Sequence, residues 1–304
     1  MNNYVELIKD IIKNGTWDET RTGEKAISVF GRTLRFRMKD GFPLMTIKHV
    51  SFKQVMTELL WFLKGRKDLR YLLQHNNKIW VGDAYKKYKR LLLRTELALN
   101  EAQFIEKILS DDKFSAECGD LGRIYGPLMT AWPDTNYGEI NQLHKVLGEL
   151  RTNPTSRRLI VQLYNPATVH QGILPPCHTD FQFYSIPGED GIRKLSLKFN
   201  MRSNDVPLGA PYNIASYAAI LHIFAAMTNH EPDELFMTIV NAHIYENQLD
   251  YAHGIIRRSE GDCPPLPRLT LNLEGIENPE DLELENFKLE GYVPLGKLPA
   301  PLSN

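Results

Sequence analysis

Apolar positions recur at three- and four-residue intervals near the start of the chain. Val5, Ile8, Ile11 and Ile12 predict a helix from Tyr4 to Ile12, closed at Asn14-Gly15 by a left-handed cap. Ala26 to Phe36 alternates and is rich in β-branched and aromatic residues, which predicts strands. Pro43 to Ile47 is an extended approach to Lys48, and Phe52 to Leu63 is an amphipathic helix. Asp68 to Trp80 reads as helix, Lys86 to Lys113 as a charged, helix-prone stretch, and Ile140 to Leu150 as another helix. Strands are expected at Leu159 to Tyr164, Phe181 to Tyr184, Leu195 to Met201 and Leu235 to Val240. Between the last two lie an irregular segment with two prolines, Pro207 to Asn213, and a core helix from Ile214 to Met227. Short strands at Leu269 to Leu273 and Phe287 to Tyr292 close the pattern, and no internal repeat interrupts it.

Composition narrows the class. The 304 residues are 42% hydrophobic, which fits two average domains or one large α/β domain. A formal net charge of −1 supplies no field to recruit nucleic acid or an anionic membrane. Cys118, Cys177 and Cys263 show no CxxC spacing, so a disulfide framework and a zinc site are both disfavoured and a reducing compartment is expected. The first residues lack an apolar signal region, and no run approaches the roughly 18 apolar residues of a membrane span. A cytoplasmic protein with no metal is the expectation.

The candidate chemistry centres on Leu174-Pro175-Pro176-Cys177-His178. Two prolines fix φ and remove two donors, so Cys177 stands on a rigid, non-helical turn. A thiol beside a cation is a nucleophile; a thiol without one is a small core residue. Arg21, Arg157, Arg158 and Arg202 fall on expected loops or strand ends, where guanidinium forks suit oxyanions or simply solubility. Glu58 lies within the apolar stretch Glu58-Leu59-Leu60-Trp61-Phe62, either at an exposed edge or buried with a raised pKa. Gly119 to Gly126 is a glycine-rich turn delivering Tyr125, and it lacks the Gly-Lys-Ser/Thr ending of a phosphate-binding P-loop. Asn213 carries an amide able to donate and accept at once, and His243 and Tyr245 follow a strand. The set suits an anionic, hydrogen-bonding substrate attacked by sulfur.

The order of these pieces resembles the thymidylate synthase family from about Tyr4 to Asn304. The resemblance is carried by Arg21-Thr22-Gly23, Glu58 to Leu63, Ile79-Trp80, Gly119-Asp120-Leu121-Gly122, Ser156-Arg157-Arg158 and Pro176-Cys177-His178. It continues through Gln182-Phe183-Tyr184, Arg202-Ser203-Asn204-Asp205, Asn213 to Tyr217 and His243-Ile244-Tyr245. It implies an α/β (α+β) fold with a large mixed β-sheet flanked by helices. It also implies one domain over 1–304 with a helical surface insertion around 84–117, and a homodimer packed through its sheets. Carried over residue by residue, Cys177 would attack C6 of dUMP, and C5 would then take a one-carbon unit from 5,10-methylenetetrahydrofolate. Arg21, Arg202 and Ser203 would hold the phosphate, with Arg157 and Arg158 donated by the other subunit, and Arg202 would help keep Cys177 as thiolate. Gln182 joins the substrate set, Asn213 would read the uracil edge, and His243 and Tyr245 would hold the deoxyribose hydroxyl. Glu58, Tyr125, His178 and Asp205 would serve the proton transfers. Ile79, Trp80, Asp205, Leu208, Gly209 and Tyr212 would face the folate, and Lys48 its glutamate tail.

The chain departs from that family where water would be excluded. The expected apolar terminus is Ala300-Pro301-Leu302-Ser303-Asn304, a tryptophan expected three residues after Trp80 is Asp83, and one expected before Asn165 is Tyr164. Pro127-Leu128-Met129 replaces an expected Lys-Gln-Trp. Asn200 to Val206 looks like the phosphate-binding strand of phage deoxycytidylate hydroxymethylases, although Asn213 favours uracil over the cytosine of dCMP. On sequence alone, water quenching to 5-hydroxymethyl-dUMP is the first expectation and hydride quenching to dTMP the alternative.

Overall fold

Helix α1 (Asn2–Asn14) buries Tyr4, Val5, Leu7, Ile8 and Ile11, the stripe its spacing demands. The computed structural model describes residues 2–20, 23–92, 98–134, 136, 138–189 and 191–298; Arg21, Thr22 and the tail from Ala300 to Asn304 lie outside them. Gly15 does not form the left-handed cap expected of it. Its φ is not positive, its N–H donates to Ile11 O (2.9 Å), and a β-carbon there would overlap Ile11 O and the Ile27 side chain. Close approach to the next strand, not handedness, requires the glycine.

Strand β1 (Thr16–Glu19) pairs with β2 (Lys25–Arg37), one long strand that keeps its register on the neighbouring strand across Gly31 (φ 65°). Helix α2 (Phe52–Leu63) starts at Ser51, whose hydroxyl accepts from the Gln54 N–H. The helix expected from Asp68 to Trp80 is shorter. It becomes α3 (Leu69–Gln74), because Asn76 adopts a φ of 57° that a right-handed helix cannot continue. Helices α4 (Val81–Leu91), α5 (Glu101–Ser110) and α6 (Asp112–Cys118) occupy the charged stretch. Their Tyr85, Tyr88, Phe104 and Phe114 rings pack 5.2–6.2 Å apart, so the polar outer faces enclose an aromatic centre.

After α7 (Tyr125–Thr130) come a two-residue pair, β3 (Trp132–Pro133) and β4 (Glu139–Ile140), then α8 (Gln142–Thr152), β5 (Ile160–Gln162), β6 (His178–Ile186) and β7 (Arg193–Asp205). Helix α9 (Gly209–Met227), β8 (His230–Tyr245), α10 (Leu249–Arg258), β9 (Arg268–Leu271) and β10 (Phe287–Glu290) complete the described elements. The large sheet runs β1-β2-β8-β7-β6-β5. It is mixed: β7 and β8 are parallel, and the other neighbouring pairs are antiparallel. A parallel pair needs a crossover, and α9 supplies it. Apolar on all sides, α9 is buried from Ala210 to Ala225 almost without interruption. The opposite face of the sheet is open in the protomer, with Phe30 82%, Tyr184 66% and Val240 53% exposed.

Three expected boundaries move, all near one place. Arg202 to Asp205 are the last residues of β7 rather than a loop after it. The segment Gly209 to Asn213 opens α9, where Pro211 is tolerated because first-turn N–H groups have no helical partner. His243 and Tyr245 lie within β8, with His243 paired to Asp205. Among the described residues, no helix is long and apolar enough to cross a membrane.

Candidate active site

The end of β7, the start of α9 and the start of β6 converge with α7 and α2 beneath the parallel strand pair. Cys177 directly precedes β6 and is half-buried. Its backbone is clamped from both sides. Its N–H donates to Tyr125 Oη (2.9 Å), and its carbonyl accepts the Arg202 N–H (2.9 Å). The Arg202 guanidinium donates to Pro176 O (2.8 Å) and Pro175 O (2.9 Å) and lies 3.6 Å from Cys177 Sγ. The prolines thus leave carbonyls free to orient the cation beside the sulfur. Arg202 draws the thiol's pKa down, but burial outweighs it and the net shift is upward. Burial and the guanidinium therefore pull the sulfur's acidity in opposite directions.

A polar relay runs behind the cysteine. His178 is buried, and its ring stacks 4.6 Å from that of Tyr125. Burial pushes its pKa down to about 3, so the ring is neutral. Asn213 Nδ2 donates to His178 Nε2 (3.1 Å), which leaves the ring proton on Nδ1, facing Tyr217 Oη (3.0 Å). Asn213 Oδ1 accepts from Asn204 Nδ2 (2.8 Å). Tyr217 lies one helical turn after Asn213 on α9, so both meet one histidine.

Glu58 is buried on α2, and its Oε1 accepts from Trp80 Nε1 (2.8 Å). Desolvation raises its pKa to about 7, against the opposing pull of that hydrogen bond. The buried alternative for this carboxyl is therefore the observed one. The Trp80 ring packs 6.3 Å from Tyr125 and 6.2 Å from Trp61, and Ile79 beside it is 51% exposed. Tyr212 Oη donates to Gln54 Oε1 (3.4 Å). Together they make an apolar wall with one open side.

Asp205 forms a second centre. Its Oδ1 accepts from the Leu208 N–H (3.2 Å) and its Oδ2 from Gln248 Nε2 (2.9 Å), while burial raises its pKa. Lys48 is 3% exposed, with Nζ donating to Tyr251 Oη (2.6 Å) and Pro207 O (2.8 Å). Desolvation brings its pKa down to about 7 against the pull of Asp205. The ammonium faces inward between those two oxygens. His243 Nδ1 donates to Asn241 Oδ1 (2.8 Å), and its ring meets Tyr245 edge-on at 5.1 Å. Gly209 lies against the Asn204–Asn213 pair, and Ser203 is half-buried between Arg202 and Asn204.

Cys177, Arg202, Tyr125, His178, Asn213, Glu58 and Trp80 thus form one connected set, with Asp205, Leu208, Gly209, Tyr212 and His243 adjoining it. Arg157 and Arg158 are exposed on the loop before β5, and Gln182 Nε2 donates to Arg157 O (3.1 Å). No described contact joins these three to Cys177. Arg21 falls outside the described residues. Sequence reasoning gave no role to Asn204, Tyr217 or Gln248. The first two sit inside the quoted motifs, and the helical spacing of Tyr217 from Asn213 was the available signal.

A family model described as thymidylate synthase matches residues 2–304. A thymidylate synthase of Listeria monocytogenes serotype 4b is 37% identical over 325 residues, covering 100% of both chains. One from Listeria innocua serovar 6a shows the same identity and coverage. With the mixed sheet and the cysteine-centred constellation already described, these matches establish that the chain belongs to the thymidylate synthase family of one-carbon transferases, which use 5,10-methylenetetrahydrofolate as cosubstrate.

Proposed function

We propose that the protein is a thymidylate synthase, transferring a one-carbon unit from 5,10-methylenetetrahydrofolate to C5 of dUMP. The observation that carries this reading is the Cys177–Arg202 pair at 3.6 Å, set against a neutral His178 and a Glu58 poised near neutrality. Cys177 sulfur adds to C6, and the electrons of the C5–C6 double bond move to C5 and the O4 enolate. C5 then forms a bond to the folate methylene. Loss of the C5 proton and expulsion of tetrahydrofolate leave an exocyclic methylene. Hydride from tetrahydrofolate completes the methyl group as the C6–S bond breaks, giving dTMP and dihydrofolate. Glu58 acts through water on the proton traffic at O4 and C5, because its pKa lies near the working pH. Asn213 reads the base edge, Arg202 and Ser203 with Arg21 bind the phosphate, and His243 and Tyr245 hold the ribose hydroxyl. Trp80, Ile79, Leu208, Gly209 and Tyr212 fit the flat, largely apolar pterin and its ring system, with Asp205 supplying the polar contact.

Homodimerisation belongs to the same proposal. Arg157 and Arg158 are exposed and lack contact with their own Cys177, and the open sheet face beside them carries Phe30, Tyr184 and Val240. A symmetric partner covering that face would bring both arginines to the other site's phosphate.

The sequence reading put water ahead of hydride as the quencher; the names of the relatives favour hydride and turn the order round. Water quenching to 5-hydroxymethyl-dUMP keeps specific support in Asp83, a carboxylate in the first turn of α4 close to Trp80. Turnover with dUMP and methylenetetrahydrofolate, followed by mass spectrometry, separates the two, since the products differ by one oxygen. Dihydrofolate released in step with product supports the synthase; tetrahydrofolate with the heavier nucleotide refutes it. Cys177→Ser should abolish turnover while dUMP still binds, and full activity in that variant would refute the covalent route altogether.

A further inference from the structure

The amide that reads the base is itself held at both ends. Asn213 gives one N–H to His178 Nε2 and one lone pair to Asn204 Nδ2. One N–H and one lone pair remain for a ligand. Asn204 is 3% exposed and pairs with Ala242 in the β7–β8 ladder. Its Oδ1 is buried and has no hydrogen-bond partner among the described residues. Such an orphan is unusual and calls for a reason.

We propose that Asn204 is a specificity-determining residue: by donating to Asn213 Oδ1, it fixes which end of the Asn213 amide donates and which accepts toward the pyrimidine. The inference rests on the pyrimidine-nucleotide reading of the site. Uracil presents N3–H and O4, and so needs an acceptor and a donor; cytosine presents N3 and N4–H2, and needs the reverse. Turning the Asn213 amide over would set its N–H groups against the Asn204 N–H and its oxygen against the His178 Nε2 lone pair. Both contacts are repulsive, and the burial of Asn204 and His178 strengthens them. They are relieved only if Asn204 turns over too, presenting its Oδ1, and His178 moves its proton from Nδ1 to Nε2. The orphan Oδ1 is the acceptor that this reversed arrangement uses. The relay Tyr217–His178–Asn213–Asn204 therefore has two self-consistent directions, and the one observed is the direction in which Asn204 donates.

The test measures dUMP and dCMP binding by calorimetry in a Cys177→Ser background, with circular dichroism to confirm folding. The parent should prefer dUMP. Asn204→Val removes the donor and should lower the dUMP:dCMP affinity ratio by about ten- to a hundredfold. Asn204→Asp, nearly isosteric and read at pH 8, replaces the donor with an acceptor and should move the ratio at least as far toward dCMP. An unchanged ratio with both nucleotides weakened alike assigns Asn204 a merely structural part and overturns the inference. If Val does not fold, an Asp variant that keeps the parent's ratio does the same. A parent that binds neither nucleotide overturns instead the pyrimidine reading on which the inference stands.

Discussion

Burial sets the chemistry of individual side chains here more than their neighbours in sequence do. Glu58 is the clearest case, with its pKa raised from the usual carboxylate range to about 7 by desolvation. Its proton is retained in the fold between the unfolded value and about 7, so protonation favours the native state. The benefit is complete below the unfolded pKa and is lost as pH rises through about 7. Glu58→Gln, which cannot ionise, should therefore gain in relative stability by about 2–3 kcal/mol between pH 4 and pH 8. The same variant should lose most of kcat. Denaturant melts over that range check the first expectation, and single-turnover kinetics check the second. Lys48 carries the opposite sign. Its pKa is lowered to about 7, so the charged form strains the fold. Native stability should rise relative to Lys48→Met as pH climbs from about 7 toward the unfolded value near 10. Urea melts at pH 7 and pH 9.5 read this, and a difference that grows the other way would remove the inward-facing lysine from the account.

Which residues the candidate site brings together was largely legible, while their environment was not. Cys177, His178, Arg202 and Asn213 announce themselves by type and order. Whether Glu58 was buried, and how far burial would oppose Arg202 at Cys177, depended on packing from α7 and β7, distant in sequence. Asn204 stayed silent because its role lies in a hydrogen bond to a residue on another element.

At the level of elements, long periodic segments were read well. The α2 limits follow from an apolar face and a Ser51 cap, and the expected and observed helices coincide over Phe52–Leu63. The misreadings gather where β7 gives way to α9. Pro207 and Pro211 look like breakers in sequence, yet Pro211 occupies a first turn that has no N–H to lose. The strand is likewise extended to Asp205 by pairing with β8, a long-range effect that no local window contains. The Gly119–Gly126 turn offers an element-scale test. Gly122 has a φ of 75°, bridges to Gly172, and has no room for a β-carbon against Gln171 O. Gly122→Ala should cost about 2–4 kcal/mol in urea unfolding. It should also lower kcat, since Tyr125, whose hydroxyl accepts the Cys177 N–H, follows directly on that turn. A variant as stable as the parent would mean the turn relaxes freely.

For the whole molecule, the open face of the sheet is the decisive feature. Charged residues at its centre, as in Phe30→Asp with Val240→Asp, should give a folded monomer by analytical ultracentrifugation with background activity. Mixing Cys177→Ser with Arg157→Glu/Arg158→Glu should restore about a quarter of wild-type activity through hybrid pairs. No recovery would mean that each protomer completes its own site. That this face would stand open, with Phe30, Tyr184 and Val240 exposed, was invisible in the alternation of β2, β6 and β8, because alternation marks two faces without saying which neighbour covers the second. In the proposed dimer two halves complete one another, and output then does not scale linearly with the amount of enzyme. Below the concentration at which the halves pair, halving the supply quarters the yield, so a cell making little of this protein would obtain disproportionately little product from it.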